Sequence, residues 1–202
     1  SEIDRRASQV RAEIAGLTNL LDATLDVVRL EAGQVTATPA QCAINELVER
    51  VKARQLAQTP GRAIRVSIAD NVPPSVTTDP VLAEQILTNL LSNAVKYSPK
   101  TEPVSVSVTA ENRQIRFAVE DRGIGVPHDE QAKLFSRFFR ASTAQGVPGT
   151  GVGLSTSHQL AQLLGGALEF VSHAGIGSIF TLRLPDDWAG PTVQPARARA
   201  FA

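Results

Sequence analysis

Val10, Ile14, Leu17, Leu21, Leu25 and Val28 fall at steps of four, three, four, four and three, a narrow apolar stripe that predicts one long helix from about Ile3 to Ala32. Gly33 follows as its C-cap. A helix with so little core of its own calls for a partner helix, in a bundle or a dimer. The same pattern also suits an ordinary amphipathic helix packed on the residues that follow. Residues 34–41 are polar and contain Pro39, which reads as a linker. A second amphipathic helix is expected from about Asn45 to Ala57, ended by Thr59-Pro60-Gly61. Ile64, Val66 and Ile68 alternate with polar residues as in a half-buried strand, and Asn71-Val72-Pro73-Pro74 forms a turn. Asp79-Pro80 then starts a helix with a capping carboxylate and a proline in the first turn, and Pro99 stops it after Tyr97.

Two alternating strands follow, one on Val104, Val106 and Val108 and one on Ile115, Phe117 and Val119, with Glu111-Asn112 as the hairpin turn. Residues 126–148 have no clear period. A helix is expected over residues 151–164, ended by Gly165-Gly166, and two last strands over 167–171 and 178–184. Paired strands exclude a simple alternating βαβ wind. The expected fold is therefore α+β, a two-layer sandwich with a mixed sheet covered by helices on one face and preceded by the long helix. Residues 1–33 form the helical appendage, 34–41 the linker, 42–186 the main domain, and 187–202 a flexible, proline-bearing tail.

Composition narrows the classes. Twenty basic and twenty acidic residues give zero formal net charge, so no long-range field favours nucleic acid or an anionic membrane. The single Cys42 cannot form an internal disulfide, which fits a reducing, cytoplasmic setting. No apolar run is long enough to span a bilayer. The chain opens at Ser1 and contains no methionine, so a fragment or processed product is expected, with membrane contact only through segments upstream of it.

Three segments carry candidate chemistry. Asn89 and Asn93 share one helix face, and amide oxygens suit a hydrated Mg²⁺ that also binds phosphate. Lys96, one turn on, offers a charge to phosphates, and Tyr97 a ring or hydroxyl to a nucleoside. The same residues also read as a solvated face opposite Leu87, Leu90, Leu91 and Val95. Asp121 ends a strand before Gly123 and Gly125, where a carboxylate can accept a hydrogen bond from an exocyclic amine. A plain turn bearing a soluble aspartate fits as well. Residues 149–153, Gly-Thr-Gly-Val-Gly, enter a helix whose N-terminal N–H groups can face an anion, yet no lysine follows as in a P-loop. Between the glycine segments, Leu134-Phe135-Ser136-Arg137-Phe138-Phe139-Arg140 combines aromatic anchors with arginines, as in a mobile lid or a short packing helix.

In this order the segments resemble the ATP-binding domain of sensor histidine kinases, within the GHKL superfamily with its Bergerat ATP-binding fold. The asparagine helix is similar to that family's N box, residues 121–125 to its G1 box, 134–140 to its F box and 149–155 to its G2 box. Residues 175–185 resemble its last strand, and Leu30-Glu31-Ala32-Gly33 the end of the second helix of its dimerisation and phosphotransfer domain. The resemblance implies ATP and Mg²⁺ as cofactors, with Asn93 and Asn89 holding the metal and Asp121 reading the adenine amino group. Gly123, Ile124, Gly125, Gly149, Thr150, Gly151, Val152, Gly153, Leu154 and Ser178 would shape the pocket. Lys96, Tyr97 and Arg140 would reach ribose or phosphates, Arg140 at the γ-phosphate.

GHKL hydrolases place a glutamate base four residues before the magnesium asparagine. Here that position is Asn89, whose amide is no base near neutral pH, so kinase is favoured over hydrolase. The phosphoacceptor histidine is missing: His128, His158 and His173 all lie outside any H-box context. The expected function is the catalytic portion of a two-component protein-histidine kinase, acting on a histidine supplied elsewhere and relayed to a response-regulator receiver domain. A homodimer would form through the bundle helix. A nucleotide-binding regulatory module, or a pseudokinase, is the alternative.

Overall fold

The computed structural model describes Arg6, residues 28–30 and residues 32–190. The expected helix of residues 3–32 therefore lies almost wholly outside the described residues, as do residues 191–202 of the expected tail. The end of that helix is described. Gly33 has a φ of 64°, its N–H donates to Leu30 O, and the Gln34 N–H donates to Arg29 O. These two bonds make a Schellman C-cap, as expected of Gly33.

The domain contains β1 (Ala40–Ala43), α1 (Ile44–Gln58), β2 (Ile64–Ile68), β3 (Ser75–Thr78), α2 (Pro80–Tyr97), β4 (Val104–Glu111), β5 (Gln114–Asp121), α3 (Gly153–Leu163), β6 (Ala167–His173) and β7 (Gly177–Pro185). Five strands form one sheet in the order β2-β4-β5-β7-β6. β2 runs parallel to β4 and every other pair is antiparallel, so the sheet is mixed. Its inner face carries Val104, Val106, Val108, Ile115, Phe117, Val119, Leu182 and Leu184, all buried beneath the three helices. Its outer face is mostly polar, with Arg183 Nη2 2.7 Å from Glu169 Oε1, and exposes the cross-strand pair Val171 and Ile179. That period of two bears on function. Asp121 and Ser178 fall on the inward parity of β5 and β7 and pair in register, so both side chains arrive at the edge of the core.

α2 buries Leu82, Ala83, Ile86, Leu87, Leu90, Leu91 and Ala94, a stripe at helical spacing. Its start is fixed as expected. Asp79 Oδ1 accepts from Val81 N at 2.9 Å and Leu82 N at 3.1 Å. The other oxygen accepts from Thr38 N at 2.8 Å, which ties the incoming chain to the helix. Asp79→Ala is expected to cost about 1–2 kcal/mol in urea denaturation, the range for losing an N-cap. At the far end, buried Arg62 donates to the carbonyls of Ser98 and Pro99, closing α2 with a cation near its C-terminus.

Several expectations need correction. The hairpin turn is Asn112-Arg113, with φ of 51° and 60°, one residue later than expected. α3 begins at Gly153 rather than 151, because Gly151 takes a φ of 73° that no helix allows. Residues 34–41 are no free linker: Ala37 is buried, and β1 starts at Ala40 and pairs antiparallel with β3. The start of the expected tail is docked as well. Asp187 bridges to Thr77, and the Trp188 indole is buried over Gly165.

Candidate functional site

Between α2, α3, the ends of β5 and β7 and the segment joining β5 to α3 lies a cavity of about 750 Å³. That size is typical of small-molecule sites. One wall is the second face of α2: Asn89, Ser92, Asn93 and Lys96, at steps of three, one and three, all border the cavity beside Tyr97. The asparagine face is thus a cavity wall and not a solvated surface. Ser92 was not singled out in the sequence, although its place within this spacing is the signal that marks it.

Asp121 stands at one end, 6% exposed, with Oδ1 accepting from Gly123 N at 2.8 Å. Burial pushes its carboxyl up to about 6, against the opposing pull of the Gly123 and Ser178 backbone N–H groups. Gly123 itself does not border the cavity. It forms the turn behind Asp121 against the C-terminus of α2, where Ile124 N donates to Tyr97 O at 3.3 Å. Ile124, Gly125 and Ser178 do border it. Gly125 has a φ of 59°, and a methyl group there would land on the His173 carbonyl. Ser178 Oγ lies 2.9 Å from Ser172 Oγ, which in turn accepts from Val126 N at 2.9 Å.

At the other end the second glycine segment passes close to α2. Gly149 sits beside the Lys96 ammonium, which bonds Tyr97 Oη at 3.2 Å. Gly149, Thr150, Gly151, Gly153 and Leu154 border the cavity, whereas Val152 is buried away from it and accepts from Ser155 Oγ at 2.7 Å. Val152 supplies no side-chain cap, so the first N–H groups of α3 keep their anion-binding capacity. Asn89 Nδ2 donates to Ser157 Oγ at 2.9 Å.

The aromatic segment divides. Phe135 stacks on His158 at 4.7 Å and meets Phe170 edge-on, anchoring the segment to the sheet. Phe139 borders the cavity and Phe138 is exposed. Arg140 borders the cavity too, but its Nη2 donates to the carbonyls of Ala144, at 2.8 Å, and Val147. In this arrangement it braces the loop. Thr143 Oγ1 donates to Gly125 O at 2.9 Å, fastening the loop across the cavity mouth. Residues 141–144 carry no pattern that would have marked them in the sequence. None of the three histidines borders the cavity.

Such a fold, with a buried carboxylate at one end of the cavity and an amide face and glycine-bounded helix start at the other, defines an ATP-binding domain of the Bergerat type. The chain belongs to the histidine kinase-, DNA gyrase B- and HSP90-like ATPase family, whose model matches residues 78–187. It is similar to the sensor histidine kinase RcsC of Escherichia coli K12, 28% identical over 91% of this chain and 20% of that protein. It is also similar to the sensor-like histidine kinase SenX3 of Mycolicibacterium smegmatis, 31% identical over 91% of this chain and 48% of that one. The solved structure of full-length ShkA in complex with AMPPNP superposes with a TM-score of 0.78 at 27% identity, over 94% of this chain and 40% of ShkA. The chain thus spans less than half the length of these relatives. No helix among the described residues is long and apolar enough to cross a membrane.

Proposed function

We propose that this chain is the catalytic portion of a two-component sensor kinase, which passes the γ-phosphoryl group of ATP to a histidine on another domain. The observation that carries this reading is the division of labour in one cavity. A buried carboxylate faces one end, and two amides, a lysine and an uncapped helix N-terminus face the other. Asp121 accepts a hydrogen bond from the adenine amino group. Asn89, Asn93, Lys96 and the N–H groups of α3 hold the phosphates.

A magnesium ion fits this donor set. Asn89 and Asn93 offer neutral oxygen donors one helical turn apart, and phosphate oxygens and water complete such a shell. Among the described residues no cluster of three His, Cys, Asp or Glu side chains competes as a metal site. When bound, the ion neutralises charge on the phosphates. The chain's own groups orient the triphosphate and, with the loop fastened by Thr143, limit water. No carboxylate on α2 borders the cavity as a base for hydrolysis. In the transfer the bond between the γ-phosphorus and the β,γ-bridging oxygen breaks, a bond from phosphorus to an imidazole nitrogen forms, and ADP leaves. Since no histidine of this chain borders the cavity, the acceptor comes from a bundle domain, and a receiver-domain aspartate takes the group next.

The test uses γ-labelled ATP, this chain and the histidine-bearing bundle domain of a sensor histidine kinase such as SenX3. Acid-labile label is expected on the bundle and not on this chain alone. Label on His128, His158 or His173, or none on the bundle despite nucleotide binding, would overturn the assignment. The second result would leave a nucleotide-binding regulatory module.

A further inference from the structure

We infer that Ser157 is a positioning residue for the metal, and that α3 forms the seat in which the Asn89 amide is held. The inference rests on the reading of Asn89 as a metal and phosphate ligand. Asn89 lies on α2, and its partners lie on α3, whose start is the second glycine segment. Two α3 residues four apart meet the amide. Gly153 lies against its Oδ1, close enough that a Cβ would collide with that oxygen. Ser157, 2% exposed, accepts from its Nδ2 at 2.9 Å.

An amide has two chemically opposite ends. Rotated by a half-turn, Asn89 would present an NH₂ to a cation that needs an oxygen. A hydroxyl can donate or accept, so the choice of end falls to the α3 N-terminus: the bare Gly153 backbone leaves room for the amide oxygen where the helix dipole favours negative charge, and Ser157 then accepts from the nitrogen end. The bond spans 68 residues of sequence, so no local motif announces it. It also couples the metal-facing helix to the phosphate-facing one, so that the two walls of the cavity hold a fixed spacing. An outer-shell partner of this kind fixes a ligand's orientation and strengthens metal binding without touching the metal.

The test is titration of this chain with ADP, with and without Mg²⁺, for wild type, Ser157→Ala, Ser157→Thr, Asn89→Ala and the Ser157→Ala/Asn89→Ala pair. The quantity read is the gain in ADP affinity that Mg²⁺ confers. Ser157→Ala is expected to cut that gain about tenfold, as loss of an outer-shell partner does, with a much smaller loss of ADP affinity in the absence of metal. Ser157→Thr, which keeps the hydroxyl, is expected to retain the gain. In the Asn89→Ala background, Ser157→Ala should have no further effect. An undiminished gain in Ser157→Ala, an equal loss with and without metal, or a loss that persists without Asn89 would each overturn the inference. A wild type that gains nothing from Mg²⁺ would overturn the metal reading, and this inference with it.

Discussion

Asp121→Asn is expected to weaken ADP binding by about 1–3 kcal/mol, a drop of roughly fivefold to 150-fold, by removing the charged acceptor of the adenine amine. It is also expected to make the nucleotide-free protein more stable at high pH. Burial raises the Asp121 pKa from 3.8 to about 6. The folded state therefore holds the proton more tightly than the unfolded chain. The stability this confers is full below about pH 4 and is lost as pH rises through about 6. An amide never ionises and escapes that loss. The variant's advantage is then at most about 3 kcal/mol above pH 7 and closes towards pH 4. Nucleotide affinity runs the other way: the carboxylate is the acceptor, so wild-type affinity climbs with pH through about 6 and the variant's stays flat. Urea denaturation and isothermal titration across pH 4–8 read both slopes. A wild-type affinity that ignores pH would remove Asp121 from its role.

Gly125→Ala is expected to damage fold and site together. Its backbone sits at a φ of 59°, and an added methyl would strike the carbonyl of His173, which is backbone and cannot rotate away. Left-handed geometry alone costs an alanine about 1–2 kcal/mol. Displacing the β6–β7 turn brings the total to about 3 kcal/mol or more, among the larger effects of single substitutions. The Gly175 N–H that bonds Ile124 O at 2.8 Å would move with it, and so would the cavity edge beside Asp121. A melting temperature lowered by about 6–12 °C, together with lost ADP binding, is the expected result. Wild-type melting would show that the loop yields freely.

Period and punctuation made much of this fold legible. The valines of β4, the Ile-Phe-Val of β5 and the Asp79-Pro80 helix start stand where their patterns place them, because each buries one face against the core. β1 and β3 escaped notice. Each has four residues and a single large buried apolar side chain or thiol, Val76 or Cys42, so neither shows an alternation long enough to read. The glycine and asparagine segments marked most of the cavity wall, but spacing could not tell a lining residue from a supporting one. Gly123 and Val152 sit in the right motifs and face away. Val126, Ala141 and Ala144 line the cavity through tertiary placement alone. The cap on Arg62, distant in sequence from the carbonyls it satisfies, was equally hidden.

Where the chain enters this domain and where it leaves β7 are fastened at one place. Thr38 hangs from Asp79, Ala40 pairs with Thr78, Asp187 reaches Thr77, and Pro39 would meet any side chain added at Gly190. A protease nick at residues 186–190 would therefore free the outbound chain from the strand that also carries the inbound one, β3. Doorway and exit share a single hinge pin.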